Sequence, residues 1–420
     1  MQLVPAQAGV PGPGANPYHA GLGRRPNDPL VVQRVMINGM QNIKQAIERT
    51  DGRYKNQRVR LSRIPIPKSD CEVLHSLLCT NPSVVGLELL DCEIEKEHLE
   101  DLFKHMKDYH LETAQLSRLP IDDSGAALLA VALQETHIKN LDLSWNEIGK
   151  DGAVRIAHAL QDSGLQHLSL AQNRIGHEAA EKICEKIGTG GTMLKSLDLS
   201  RNEIIDPGAL ALADVLPNSM LEEVAVRYNR LTPRGVVAIC QAVAQSKIMR
   251  ELALAGNQMG NPMCATAICE MMQSTKTIEF LDLSHCNLTA NELPILAKGV
   301  MACPSLRRLK LSKNMYMADA AVQSFFQAIR THAGLQEVDI AECDMVRPKT
   351  VELSKRIVRR MTSQATRTLI LLVVAWTHRQ RWDSGLIRKL CEALGEDPLP
   401  EPPAGPPVYV INPAVPAVPA

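Results

Sequence analysis

The sequence predicts an α/β horseshoe solenoid: about eleven strand–helix repeats, with a parallel sheet on the concave side and helices on the convex side. Two observations predict it. The first is self-similarity: "IKNLDLSWNEIGKDGAVRIAHALQDSG" from Ile138 is followed by "LQHLSLAQNRIGHEAAEKICEKIG" from Leu165 and "LKSLDLSRNEIIDPGALALADVLP" from Leu194. The second is a change of hydrophobic period inside every unit. Such a fixed period marks a repeat architecture.

On the template L-x-x-L-x-L-x-x-N-x-L, the first positions fall at Asn56, Val84, Leu111, Ile138, Leu165, Leu194, Leu221, Met249, Ile278, Leu306 and Leu335, in steps of 27 to 29 residues. The opening run of a unit alternates, as in Leu141 and Leu143 with Asp142 and Ser144 between them. That is a half-buried strand. The second half spaces apolar residues three and four apart, as in Ala153, Ile156, Ala157 and Leu160. That is one stripe of a helix. Gly149, Gly152, Gly176 and Gly208 sit where loop becomes helix. No unit buries both faces alone, so neighbours must stack. Strands stack roughly 4.8 Å apart and helices roughly 8–10 Å apart, so the stack must curve with the sheet inside.

"NLDLSWNEIGKDGAVRIAHAL" and its sister units resemble the leucine-rich repeats of the ribonuclease-inhibitor type, over about residues 56–363. The resemblance implies long units with a true outer helix and a large curved surface that binds a protein. The family spans enzyme inhibitors, activators of the Ran GTPase, sensor regions of immune receptors, and actin- or cilium-associated scaffolds.

The ninth template position reads Ile64, Cys92, Leu119, Asn146, Asn173, Asn202, Asn229, Asn257, Cys286, Asn314 and Cys343. A buried Asn there offers donors and an acceptor to the loop backbone, and the resemblance makes Cys its accepted substitute. Ile64 and Leu119 depart from the pattern, which predicts less regular turns in the first and third units.

The organisation around the repeats follows from composition. Residues 1–27 are a Gly/Pro-rich tail, and 28–55, with helical spacing in "DPLVVQRVMINGMQNIKQAIERTDG", read as an amino-terminal helical cap. Residues 364–395 read as the carboxyl cap, with Trp376 and Trp382 packing in it, and 396–420 as a Pro-rich tail. Both tails are predicted disordered. "PPVY" in the second tail, with Pro406, Pro407 and Tyr409, resembles the Pro-Pro-x-Tyr ligand of WW domains.

With 46 basic and 46 acidic residues, the chain lacks the basic excess that nucleic-acid binding favours. Eleven cysteines, an odd number without a dense framework, read as reduced core thiols. There is neither a secretory-type start nor an apolar run long enough to span a bilayer; "LILLVVAW" from Leu369 is far too short. A cytoplasmic protein, free or associated with cytoskeleton or cilium, is the expectation.

Motifs for catalysis are missing. "HEAAEK" at His177 has one histidine, "GTGGTML" at Gly188 lacks the ending of a phosphate loop, and no C-x-x-C pair occurs. The recurring Asp142, Asp198, Asp282 and Asp339 come with the repeat. A non-enzyme without cofactor or metal is therefore expected, acting on a protein partner.

Alternation aims the third, fifth, seventh and eighth template positions at the hollow of the horseshoe. The residues singled out for partner binding are Trp145, Arg201, Arg227, Tyr228, Phe280, His285, Asp142 and Asp198. Trp145, Arg201 and Tyr228 share the eighth position and should line one rim. Either they are binding hot spots, where such residues are enriched, or they fold over the neighbouring loop. Basic residues at Arg58, Arg60, Arg308 and Lys310 could meet acidic patches or be solvated surface. Three functions fit: a scaffold or adaptor gripping a protein in the concave face, a regulator of a Ran-like GTPase, or a structural subunit of a cytoskeletal or ciliary assembly. Against the second, the resembling Ran activators follow their repeats with an acidic segment, and here a Pro-rich segment stands in that place.

Overall fold

Parallel alternation of strand and helix carries the chain through one continuous sheet. The computed structural model describes residues 34–36, 57–332, 334–343, 345–351 and 355. All of them lie in the first of the two units, 1–362 and 363–420, into which the chain divides. Segments 1–27, 364–395 and 396–420, with the Trp376, Trp382 and Pro-Pro-x-Tyr readings, lie outside the described residues.

Twelve strands form the main sheet, all neighbours parallel. They are β1 (Arg34–Met36), β2 (Gln57–Ser62), β4 (Val84–Leu90), β6 (Thr113–Ser117), β7 (Asn140–Asp142), β8 (His167–Ser169), β9 (Ser196–Asp198), β10 (Glu223–Ala225), β11 (Glu251–Ala253), β12 (Phe280–Asp282), β13 (Arg308–Lys310) and β14 (Glu337–Asp339). β3 (Pro65–Ile66) and β5 (Glu93–Ile94) form a separate parallel pair. The fourth template positions align without a slip, from Val59 through Leu87, Ala114, Leu141, Leu168, Leu197, Val224, Leu252, Leu281 and Leu309 to Val338. Outer helices complete the units, from α1 (Lys68–Thr80), α2 (Lys96–Lys104), α3 (Asp123–Glu135) and α4 (Lys150–Ala159) to α10 (Asp319–Ile329). The described unit is thus an α/β solenoid of the horseshoe type, with one hydrophobic core running from Val59 to Val346.

One expectation changes. Within 28–55, read as a helical cap, Arg34–Met36 is a strand that pairs with β2. An uncovered sheet edge offers a row of unpaired N–H and C=O groups, which the extended backbone of Arg34–Met36 pairs. Edge pairing outweighs the helical spacing there.

The turn after each strand has two parts. At the eighth position all eleven residues adopt the left-handed conformation, including Arg63 (φ 55°), Arg118 (57°), Trp145 (61°), Tyr228 (51°) and Gly256 (73°). This is uncommon for residues other than glycine. What holds it is a backbone bond: the eighth N–H donates to the seventh-position carbonyl of the next unit, as in Trp145 to Ala171 (2.8 Å), Arg201 to Arg227 (2.8 Å) and Tyr228 to Ala255 (2.6 Å). Arg63 and Arg118 do the same to Leu90 and Ser144. The first and third turns therefore keep the regular geometry although Ile64 and Leu119 follow them. The expected irregularity does not occur, because the left-handed residue and its bond set the turn.

The ninth position adds the second part. Asn202 donates from Nδ2 to Leu170 O (2.8 Å) and Leu199 O (3.2 Å), while its Oδ1 accepts from Asn173 N (3.1 Å). Asn146, Asn173, Asn257 and Asn314 bridge adjacent units in the same way. Where Cys replaces Asn, only a weak donor remains: Cys286 Sγ lies 3.6 Å from Leu254 O. The ten described cysteines are free, all but Cys79 buried. Burial pushes the thiols of Cys184 and Cys286 up to about 12, so they are inert core fillers.

The convex side has its own inter-unit clasp. Asp123 in α3 accepts from the backbone N–H of Gly149 (2.7 Å) and Gly152 (2.9 Å) at the start of α4. A Cβ on Gly152 would lie 2.9 Å from Ala126 Cβ and from Asp123 Cα. Close helix contact requires glycine there.

Replacing Asn202 by Ala should cost about 2–3 kcal/mol, since buried carbonyls and an N–H lose their partners, and Asn202→Cys should cost less. Urea denaturation midpoints test this; equal loss in both variants would refute the bridging role. Gly152→Ala should cost about 1–3 kcal/mol through overpacking, read in the same way.

Candidate functional site

Because every eighth residue is left-handed, side chains at these positions leave the sheet along the rim, and several meet a rim residue of another unit. Arg63 pairs with Asp91 (3.4 Å) and Lys313 with Glu342 (3.4 Å). The Arg118 guanidinium lies 4.2 Å from the centre of the Trp145 ring, and that of Arg201 lies 4.2 Å from the Tyr228 ring. Each such cation–π contact contributes about 0.5–1 kcal/mol where exposed. Tyr228 reaches across Gly256 to His285, with ring centroids 5.6 Å apart. A Cβ on Gly256 would come within 2.3 Å of the Tyr228 ring. The absence of a side chain in the eighth unit lets the tyrosine lie down.

The floor is built from the third, fifth and seventh positions. Phe280 is fully buried on Ala225 and Ala253, with the Arg308 guanidinium 4.6 Å and Lys310 Nζ 5.6 Å from its ring. Two ion pairs each span two units: Arg227 Nε to Asp282 Oδ2 (3.0 Å) and Arg308 Nη2 to Glu251 Oε1 (2.9 Å). Glu223 and Glu251 stand side by side at the third positions of β10 and β11. Burial first, and Glu223 second, raise the Glu251 carboxyl to about 7, against the opposing pull of Arg308. The recurring aspartates are structural on one oxygen: Asp142, Asp198 and Asp282 accept from the backbone N–H two residues on (2.9, 2.9 and 3.1 Å).

The eight residues singled out from sequence all face this surface, in two groups. Trp145, Arg201, Tyr228 and Asp142 are half-buried and His285 is exposed. Phe280, Arg227 and Asp198 are buried in the floor itself. Alternation aims a side chain and does not say what lies over it. The aromatics are not isolated: each stacks with a neighbour. Glu251 and Gly256 were not singled out; a third-position acid beside Glu223, and a glycine amid eighth-position side chains, were the available signals.

Among the described residues no helix is long and apolar enough to cross a membrane, and no group of His, Cys, Asp or Glu is arranged to hold a metal. The fold and its lined hollow define a repeat-built solenoid with a broad curved surface, a class that generally mediates protein–protein interaction. A family profile described as Leucine Rich repeat matches residues 134–157, 163–184, 192–213 and 218–240. The ribonuclease inhibitor of Sus scrofa is 28% identical over 205 residues, 48% of this chain and 43% of the relative. NACHT, LRR and PYD domains-containing protein 5 of Homo sapiens is 27% identical over 213 residues, 50% of this chain and 17% of the relative. These repeats and relatives support a leucine-rich repeat protein of the ribonuclease-inhibitor-like type. Its match spans less than half the length of those curated relatives. Among solved structures, a chain of the yeast Rad7 and Elc1 complex is similar at 14% identity and a TM-score of 0.46, over 75% of this chain and 79% of that one.

A carboxyl raised on folding binds its proton more tightly in the folded state than in the unfolded one. The stability it contributes is present below about pH 4.5 and is lost as pH rises through about 7. Wild-type protein should lose melting temperature between about pH 5 and pH 8 relative to Glu251→Gln. Parallel melting curves across that range would contradict the shift.

Proposed function

We propose that this chain is a non-catalytic scaffold or adaptor, cytoplasmic, that holds a protein partner on its concave face. The observation that carries this reading is the placement of buried polar atoms without hydrogen-bond partners. Thr113 Oγ1, Ser144 Oγ, Gln172 Oε1, Asp198 Oδ2, Arg227 Nη1 and Glu251 Oε2 come one from each of six consecutive units, all on concave positions. Proteins pair nearly all such atoms with protein or water, so this row offers hydrogen-bonding groups to whatever covers the concave face. Beside that row, Trp145, Arg201 and Tyr228 supply half-buried aromatic and guanidinium area of the kind that anchors interfaces.

The test is capture from native lysate by wild-type protein, by the triple variant Trp145→Ala, Arg201→Ala, Tyr228→Ala, and by Tyr409→Ala, with melting curves confirming the fold. Capture of a prominent partner should fall about tenfold or more in the triple variant. Retention by the triple variant and loss with Tyr409→Ala would move function to a WW-type ligand in the tail. A small GTPase, or axonemal or actin structures, as the captured partner would select the regulator or structural-subunit role.

A further inference from the structure

The polar floor is not evenly balanced. Of the acids in β9 to β12, Asp282 is paired with Arg227 and Glu251 with Arg308. Asp198 and Glu223 have no ion-pair partner among the described residues. Asp198 is 1% exposed, and its second carboxylate oxygen, Oδ2, has no hydrogen-bond partner. A buried carboxylate without a counter-charge is costly to maintain. Glu223 and Glu251 occupy adjacent strands at the same level, about 4.8 Å apart in backbone. Asp198 sits one strand from Glu223 and two residues along. The fifth positions that follow Asp198, Ala225 and Ala253, bring no side chain that could neutralise them.

Asp198, Glu223 and Glu251 thus stand on three successive strands where nearby cations are already engaged: Arg227 on Asp282, and Arg308 on Glu251 and over Phe280. Lys310, at the margin, lies against Phe280. We propose that this part of the concave face receives a lysine or arginine side chain of the bound protein, held by Asp198, Glu223 and Glu251. The proposal rests on the concave-face reading above and names the chemistry of its partner. An inserted ammonium or guanidinium relieves the repulsion between Glu223 and Glu251 and brings a donor to oxygens that lack one. It also favours ionisation of Glu251, whose carboxyl faces Glu223, Glu279, Arg227 and Arg308. Docking of the cation at neutral pH therefore releases protons.

The probe is a fluorescein-labelled hexa-arginine peptide, followed by anisotropy at low salt with wild-type protein, with Glu223→Gln/Glu251→Gln, and with the equal-charge control Glu147→Gln/Glu203→Gln. The control residues are exposed acids outside the concave floor. Affinity should fall about tenfold or more in the concave variant and less than about twofold in the control. Equal loss in both, or no binding by wild type, overturns the site. If the concave variant does not fold, calorimetry of wild type with the same peptide at pH 7 in phosphate and in Tris decides: buffer-dependent heat from proton release supports the site, and its absence overturns it. Partner capture separates the two readings. Retention by Glu223→Gln/Glu251→Gln with loss in the triple variant refutes the cation site alone, whereas retention by both refutes the concave reading as well.

Discussion

Adjacent units are joined through the N–H of one left-handed residue. At the eighth position the chain leaves the strand, and the positive φ turns that N–H toward the seventh carbonyl of the following unit, as Arg201 does to Arg227 and His285 to Ser312. Without it, the ladder between units would stop at the sixth-position N–H, which donates to the fifth-position carbonyl of the next unit as Leu199 does to Ala225. With it, the ladder continues around the corner and register passes on unchanged. The ninth-position asparagine then ties down the carbonyls of the sixth positions on both sides of the junction. A single amide serves two units, so no unit turns independently of the one before it.

The same constraint shapes the rim. A left-handed residue cannot project its side chain as a strand residue does, so eighth-position groups run along the stack and meet one another. Salt bridges close the row near its ends, and cation–π contacts hold the middle at Arg118–Trp145 and Arg201–Tyr228. These contacts order large side chains before any partner arrives, which lowers the entropy cost of association. Structural and binding roles of Trp145 and Tyr228 are therefore compatible: both residues remain half-exposed beside the neighbours that order them.

Across the floor, electrostatics works over two strand spacings. Arg227 reaches past Ala253 and Ala255 to Asp282, and Arg308 reaches past Phe280 to Glu251. Small residues at Ala225, Ala253 and Ala255 make those reaches possible. They also leave the acids of β9 and β10 without cations of their own. A surface that binds through its floor needs such local imbalance, because a fully neutralised floor would gain little by exchanging water for a partner's charge.

The repeat, its strand and helix halves, the inward leucines and the asparagine row were all legible in the sequence, because each follows from a local period that steric and hydrogen-bonding rules translate directly. The eight concave candidates were legible as a face for the same reason. Which of them meet solvent was not, since cover comes from other units: Arg308 lies over Phe280 from the next unit, and Arg227 is buried through an ion pair 55 residues away. The regular turns at Ile64 and Leu119 and the strand at Arg34–Met36 also depended on neighbours, a carbonyl in the following unit and an open sheet edge. Sequence alone determined what each unit is and which way its side chains point. Tertiary structure decided which charges find partners, because those partners lie one or two units away.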